Sequence, residues 1–210
     1  MAIYDEGYFK YQKEIGVFGG WANLSKFEQY VGPNSNVVDF GCGGGYLLNN
    51  LHCKGKKGIE INESAQLQAR ELGIEVFTST IEIESEWADL IISNHALEHT
   101  LDPLQELKNL YTILKSDGQI VFVVPCQTIH EKYNPGDKNH HLFTWNPMTL
   151  GNLFNEAGFY VDESKALIRR WPPYYQKIAQ IGGRKIFEIS CRIYGFLQNE
   201  IYEVRLVAHK

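Results

Sequence analysis

Val37-Val38-Asp39-Phe40-Gly41-Cys42-Gly43-Gly44-Gly45-Tyr46 is the stretch on which the fold turns. An apolar run from Asn36 to Phe40 reads as a buried strand and stops on glycines. Tyr46-Leu47-Leu48 then starts a helix through Leu51. Glycine reaches positive φ without cost to a side chain and lets a ligand approach the backbone. The helix that follows offers unpaired N–H groups to a carboxylate or phosphate.

The same alternation continues outward. Gly32-Pro33-Asn34 is a turn, and residues 4–31, rich in aromatics, read as mostly helical. Further strands are expected at 57–61, 74–77, 88–93, 119–124, 159–167 and 201–208. Helices are expected at 63–72 before Gly73, at 103–114 opened by Pro103, and at 147–157 closed by Gly158. Ser116-Asp117-Gly118 reads as a turn, and 173–181 and 184–197 as amphipathic segments. Strands apolar on both faces, alternating with helices, form a parallel sheet covered on both sides. The expected fold is therefore a doubly wound α/β domain over residues 1–210. Residues 1–31 would form a helical lid, and 171–198 a helical insertion before the last strand. Such sheets bind ligands beyond the carboxyl ends of their strands, where strand order reverses.

Two cofactor classes use a glycine turn of this kind. A dinucleotide loop reads G-x-G-x-x-G, but counting from Gly41 the third glycine falls on Tyr46. Asp39 would be repelled by a pyrophosphate. S-adenosylmethionine (SAM) has a partner for every feature: an ammonium for Asp39, a carboxylate for the backbone N–H groups, and ribose hydroxyls for Glu60, about 20 residues on. Bulk at Gly41 or Gly43 is expected to block the cofactor while leaving most of the fold. A plain connecting turn is the structural alternative.

These residues resemble the class I SAM-dependent methyltransferases. Val37 to Gly45 is similar to the family's first motif, and Gly58-Ile59-Glu60 to its ribose-binding acid. Asp89 to His99, followed by Asp102-Pro103, resembles the strand-four motif of small-molecule methyltransferases, and Leu114 to Gln119 the turn into strand five. His141-Leu142-Phe143-Thr144-Trp145 with Ala157-Gly158-Phe159 is similar to a segment of the branch that modifies sugars and other metabolites. The resemblance implies seven strands with the last antiparallel. It places Asp39, Gly41, Cys42 and Gly43 at the methionine end, Glu60 and Ile61 at the ribose, and Asn94 by the sulfonium. Many relatives hold the adenine amino group with an Asp after strand three. Here Ser79 or Thr80 would offer a hydroxyl instead.

Methyl transfer is an in-line displacement that needs alignment and exclusion of water. A hydroxyl acceptor must also lose a proton, for which histidine is the natural base. The candidates are His95 and His99 after strand four, and His140 and His141 in the long loop after strand five, with His141 favoured. Each could instead only stabilise its loop. On a helix His95, Glu98 and His99 would share one face, and His140 or His141 could complete a metal shell. Such spacing is common by chance, and the sequence favours an active site without metal.

Composition narrows the partners. The 210 residues are 44% hydrophobic and 21% charged, ordinary for a globular chain. The formal net charge of −5 argues against nucleic acid, and Arg169, Arg170, Lys177, Arg184 and Lys185 read as a solvated basic face. No run of about 18 apolar residues exists, so no membrane partner is expected. No signal sequence is evident, and four dispersed cysteines read as reduced thiols of a cytoplasmic protein. The expected activity is SAM-dependent methylation of a small-molecule acceptor, a sugar hydroxyl or an amine. Competing readings are a metal-assisted methyltransferase acting on RNA or a catechol-like acceptor, and a non-catalytic SAM-binding protein.

Overall fold

In the computed structural model the strand before the glycine turn lies where the sequence places it, as β1 (Asn36–Phe40). The structure describes residues 16–127, 130–137, 139–198 and 203–210. β2 (Gly55–Ile59), β3 (Glu75–Phe77), β4 (Ala88–Asn94), β5 (Leu114–Pro125), β6 (Tyr160–Leu167) and β7 (Glu203–His209) complete a seven-stranded sheet. Its order is β3-β2-β1-β4-β5-β7-β6. β1 pairs in parallel with β2 and β4, and β4 with β5. β7 runs antiparallel between β5 and β6. Strand order reverses between β1 and β4, and there the ligand crevice opens.

Consecutive strand residues face opposite layers. Val38, Phe40, Ile91 and Phe122 pack with Leu107, Leu110 and Phe154 on one side. Val37, Ile92, Val121 and Val123 pack with Phe27, Leu48 and Ala69 on the other. The covering helices are α1 (Leu24–Phe27), α2 (Tyr46–Asn50), α3 (Glu63–Glu71), α4 (Pro103–Ile113), α5 (Pro147–Glu156) and α6 (Tyr175–Gln198). Asn62, Asp102 and Asn146 accept N–H bonds at the starts of α3, α4 and α5.

Several expected boundaries move. The second strand ends at Ile59, so Glu60 and Ile61 project from its end into the crevice. β5 starts early because Leu114 pairs with Ala88, after which the ladder resumes at Leu90 and Gln119. The expected turn at 116–118 is the bulge between those pairs. The two amphipathic segments form one long element interrupted at Gly183, whose φ of 63° breaks the helix.

Residues 16–22 are helical and lead into α1 and a 3-10 turn at Glu28–Tyr30. Phe18, Trp21, Trp171, Tyr175 and Phe187 form a separate aromatic cluster beside the crevice. Tyr4, Tyr8, Phe9 and Tyr11 lie outside the described residues. No helix among the described residues is long and apolar enough to cross a membrane.

Candidate active site

A cleft of about 940 Å³ opens at the strand-order reversal. Its floor is the glycine turn. Gly41, Gly43 and Gly45 have φ of 76°, 53° and 76°, all in the left-handed region. The N–H groups of Gly41 and Cys42 bond the Ile59 carbonyl at 2.9 and 3.1 Å, which folds the turn over β2. The glycines serve different ends. A Cβ on Gly41 would stand 2.2 Å from the Ala96 Cβ, and one on Gly45 2.6 Å from Ile74 Cδ1. A Cβ on Gly43 would meet nothing within 4 Å. Packing therefore demands glycine at 41 and 45, while Gly43 keeps open space clear. Cys42 turns its buried side chain toward Gly58.

Glu60 is oriented by backbone donors. Its Oε2 accepts from Gly43 N–H at 2.9 Å and its Oε1 from Asn62 N–H at 2.8 Å. Burial raises its pKa against those bonds. Asp39 is buried, and desolvation together with the nearby Glu60 pushes its pKa up to about 7. A cation placed beside it would restore the carboxylate. Ile61 is exposed along the cleft wall. At the far end, Thr80 donates to Glu106 Oε2 at 2.8 Å and accepts from Asn109 at 2.9 Å, so its hydroxyl is already committed. Ser79 and Glu82 form a capping box, with Ser79 N–H donating to Glu82 at 2.8 Å.

The residues before β1 close one side. A Cβ on Gly20 would lie 2.6 Å from the Tyr46 backbone, so the 16–22 helix seats directly on the start of α2. Lys26 enters the protein from α1. Its Nζ donates to Glu203 Oε1 at 2.6 Å and to Asn94 Oδ1 at 3.0 Å. His95 Nε2 lies 3.0 Å from the same Glu203 oxygen. Burial raises the Glu203 pKa, but Lys26 and His95 outweigh it and hold the carboxyl well below its usual range. Arg169 is not part of a solvated face. It is partly buried, bonds Glu188 and the Ala22 carbonyl at 2.8 Å each, and lines the cleft with Trp171.

The histidines gather around Glu98. Glu98 and His99 lie on a 3-10 turn, Leu97–His99, not on an α-helix. His95 precedes it with φ of 59°, a left-handed conformation that costs a non-glycine residue about 1–2 kcal/mol. Glu98 is fully buried, and neither carboxylate oxygen has a hydrogen bond. His95 Nδ1, His99 Nε2 and His141 Nε2 stand 3.9, 3.8 and 4.0 Å from Glu98 Oε1. Desolvation pushes the Glu98 pKa to about 7 and the His99 pKa down to about 4, and it also lowers that of His141. His141 is held because Leu142 and Phe143 donate N–H bonds to the Glu98 carbonyl at 2.9 and 3.3 Å. Trp145 is buried and anchors the loop, whereas Leu142 and Phe143 stay partly exposed. The side chain of His140 is exposed and does not line the cleft.

The methyltransferase domain family matches residues 13–164. The chain belongs to that family. Two ubiquinone biosynthesis O-methyltransferases are similar to it. The one from Coxiella burnetii is 26% identical over 184 residues, covering 82% of this chain and 73% of that protein. The one from Pseudomonas putida is 35% identical over 98 residues, covering 41% of this chain and 42% of that protein. Among solved structures, a SAM-dependent methyltransferase from Thermotoga maritima, described as a possible histamine N-methyltransferase, superimposes with TM-score 0.67 at 21% identity. It covers 96% of this chain and 94% of that one. A geranyl diphosphate methyltransferase solved with SAM has TM-score 0.60 at 18% identity, over 92% and 84% of the chains.

The methyltransferase is SAM-dependent, and its cleft fits that cofactor on its own terms. Gly43 keeps backbone approach open, Asp39 is a buried carboxyl that a cation would ionise, and Glu60 is fixed by N–H donors beside the turn. Asp39, Gly43, Glu60, Ile61, Ser79, Thr80, Asn94, His95, His99 and His141 all line one cleft. Nothing in the local pattern marks Glu203 or Arg169 as residues of the site, although both line the cleft with Lys26 and Trp171. The one signal in the sequence is Lys26, a lone charge between the core residues Leu24 and Phe27.

Proposed function

We propose that this methyltransferase transfers the methyl group of SAM to a hydroxyl of a small-molecule acceptor. One observation carries the reading: three imidazoles, on the segments that follow β4 and β5, converge on Glu98 in the same cleft that Ile61 and Thr80 line from the segments after β2 and β3. An amine can arrive neutral, but a hydroxyl needs a group to remove its proton. The relatives named O-methyltransferases support a hydroxyl acceptor. The cleft volume, about 940 Å³, suits a cofactor together with a small ligand, since pockets for one drug-sized ligand run about 300–1,000 Å³.

SAM supplies an electrophilic methyl group on its sulfonium. In this reading Asp39 faces the cofactor's ammonium, and Glu60 the ribose hydroxyls. Gly41 and Cys42 shape the turn, Gly43 admits the methionine end, and Ile61 covers the adenosine. Asn94, braced by Lys26, borders the reacting centre. Because Thr80 is committed to Glu106 and Asn109, Ser79 is the better hydroxyl for the adenine edge. Trp171 and the 16–22 helix exclude water from the acceptor. His141 is the favoured group for the acceptor proton; His95 and His99 flank it, and the exposed side chain of His140 does not reach the cleft.

The test is a methyl-transfer screen over matched hydroxyl and amine acceptors, after native mass spectrometry for co-purified SAM or S-adenosylhomocysteine. Methyl ethers are the expected products. His141→Ala should lower kcat by about 10²–10⁴-fold while sparing SAM affinity in calorimetry. Turnover confined to amines, or a normal kcat in His141→Ala, would overturn the hydroxyl reading.

A further inference from the structure

Glu98 is an anomaly that the cofactor does not explain. A fully buried carboxylate is ordinarily hydrogen-bonded, yet neither of its oxygens has a partner. The buried Nδ1 of His141 has none either. Around Glu98 Oε1 the facing imidazole nitrogens stand at 3.8–4.0 Å, too far for hydrogen bonds. Separations of this size recur where an ion sits between its ligands. Bonds of about 2.0–2.2 Å in tetrahedral geometry place ligand atoms roughly 3.3–3.6 Å apart. The ligand atoms of Glu98, His99 and His141 all lie within 4.8 Å of one another.

We infer that Glu98, His99 and His141 form a divalent-metal site at the acceptor end of the cleft, selective for a borderline transition ion. Two imidazoles and one carboxylate suit zinc, manganese, iron, cobalt or nickel; magnesium and calcium prefer all-oxygen shells. The scaffold is tied together before any ion arrives. The turn that carries Glu98 and His99 accepts two backbone N–H bonds at the Glu98 carbonyl, from the residues that follow His141. His95 adds an outer layer: its Nε2 faces Glu203 at 3.0 Å, which leaves Nδ1 directed at Glu98.

Three protein ligands leave a coordination position free, as catalytic sites do. All three residues line the cleft, so that position faces the acceptor. An ion there would lower the pKa of an acceptor hydroxyl bound to it. His141 then acts as a ligand, and the hydroxyl proton passes to solvent or to a neighbouring imidazole instead. This role rests on the hydroxyl-acceptor reading; binding of the ion does not. The sequence favours a metal-free site because His95, Glu98 and His99 alone look like chance spacing. Two features invisible in sequence reverse that: His141 closes on them, and Glu98 is buried without a partner.

The experiment uses the full chain, stripped with a chelator, dialysed and titrated with cobalt(II), then zinc(II) and magnesium(II). One equivalent of cobalt should bind and give the visible d–d bands of a low-coordinate site, and zinc should displace it. Magnesium should compete poorly. His141→Ala and Glu98→Gln should each weaken cobalt binding by more than the roughly 10–100-fold typical of outer-layer changes. Both should keep SAM affinity, which also shows that they fold. Cobalt bound well below one equivalent, or bound equally by both variants, would overturn the inference. Hydroxyl methylation that persists fully in excess chelator would overturn the ion's catalytic role and leave the proposed function standing. Stoichiometric metal without hydroxyl methylation would overturn the hydroxyl-acceptor reading, and the ion's catalytic role with it, and leave the metal site standing.

Discussion

Gly41 and Gly43 look interchangeable in sequence, and the expectation that bulk at either would spare the fold treats them so. The structure separates them. Gly41→Ala would drive a methyl group to 2.2 Å from Ala96, an overpacking that costs about 1–3 kcal/mol on top of its left-handed φ. Gly43→Ala meets open space, and costs only the left-handed strain of about 1–2 kcal/mol. Thermal melts should therefore show Gly41→Ala as the less stable protein, while calorimetry shows both with weakened SAM binding. A Gly43→Ala protein with unchanged SAM affinity would remove the close-approach reading of that glycine. Glu60→Ala should lose hydrogen bonds worth about 1.5–3 kcal/mol of cofactor binding. Asp39, Gly43 and Glu60 were legible because strand, turn and acid follow one another along the chain. The commitment of the Thr80 hydroxyl is not legible, since it is taken by Glu106 and Asn109, residues 26 and 29 positions away.

At the scale of elements, apolar runs announced the strands of the sheet, and β1 lies where its pattern says. What the pattern hides is how elements lock across the sheet. Lys26 on α1 meets Glu203 at the start of β7 across 177 residues, inside the protein, and no local periodicity records such a pair. The bond ties the segment before β1 to the site, because the same ammonium holds Asn94. Removing one partner of a buried pair strands the other charge and costs about 3–5 kcal/mol. Lys26→Met should thus lower the melting temperature strongly and weaken SAM binding by freeing Asn94. Lys26→Met with Glu203→Gln should recover part of the stability, since no carboxylate is then left unpaired. A Lys26→Met protein as stable as wild type would show that the bond does not hold the segment. Arg169 follows the same logic: it reads as one of several surface cations until Ala22 and Glu188 enclose it.

Across the whole molecule, the central strand carries a carboxyl whose ionisation opposes folding until a ligand arrives. Asp39 titrates at about 7 in the folded protein against an ordinary 3.8. The folded state therefore binds this proton more tightly than the unfolded chain. The resulting stability is fully present below about pH 4 and is lost as pH rises through about 7. About three pKa units correspond to something on the order of 4 kcal/mol. A bound ammonium favours the ionised carboxylate and reverses the bias, so cofactor binding releases the Asp39 proton, a release that diminishes as pH rises through about 7. The increase in melting temperature given by saturating SAM should accordingly grow between about pH 5 and pH 7. It should fall again above about pH 8, where an α-amino group of ordinary pKa, about 7.7–8.0, loses its charge. Glu60 is also raised by burial and titrates in the same direction, so the comparison with Asp39→Asn isolates the Asp39 contribution. In that variant the ligand-free protein should be more stable near pH 7.5 than wild type, and the rise between pH 5 and pH 7 should flatten. An equal rise in both proteins would mean that the cofactor's ammonium is not held by Asp39.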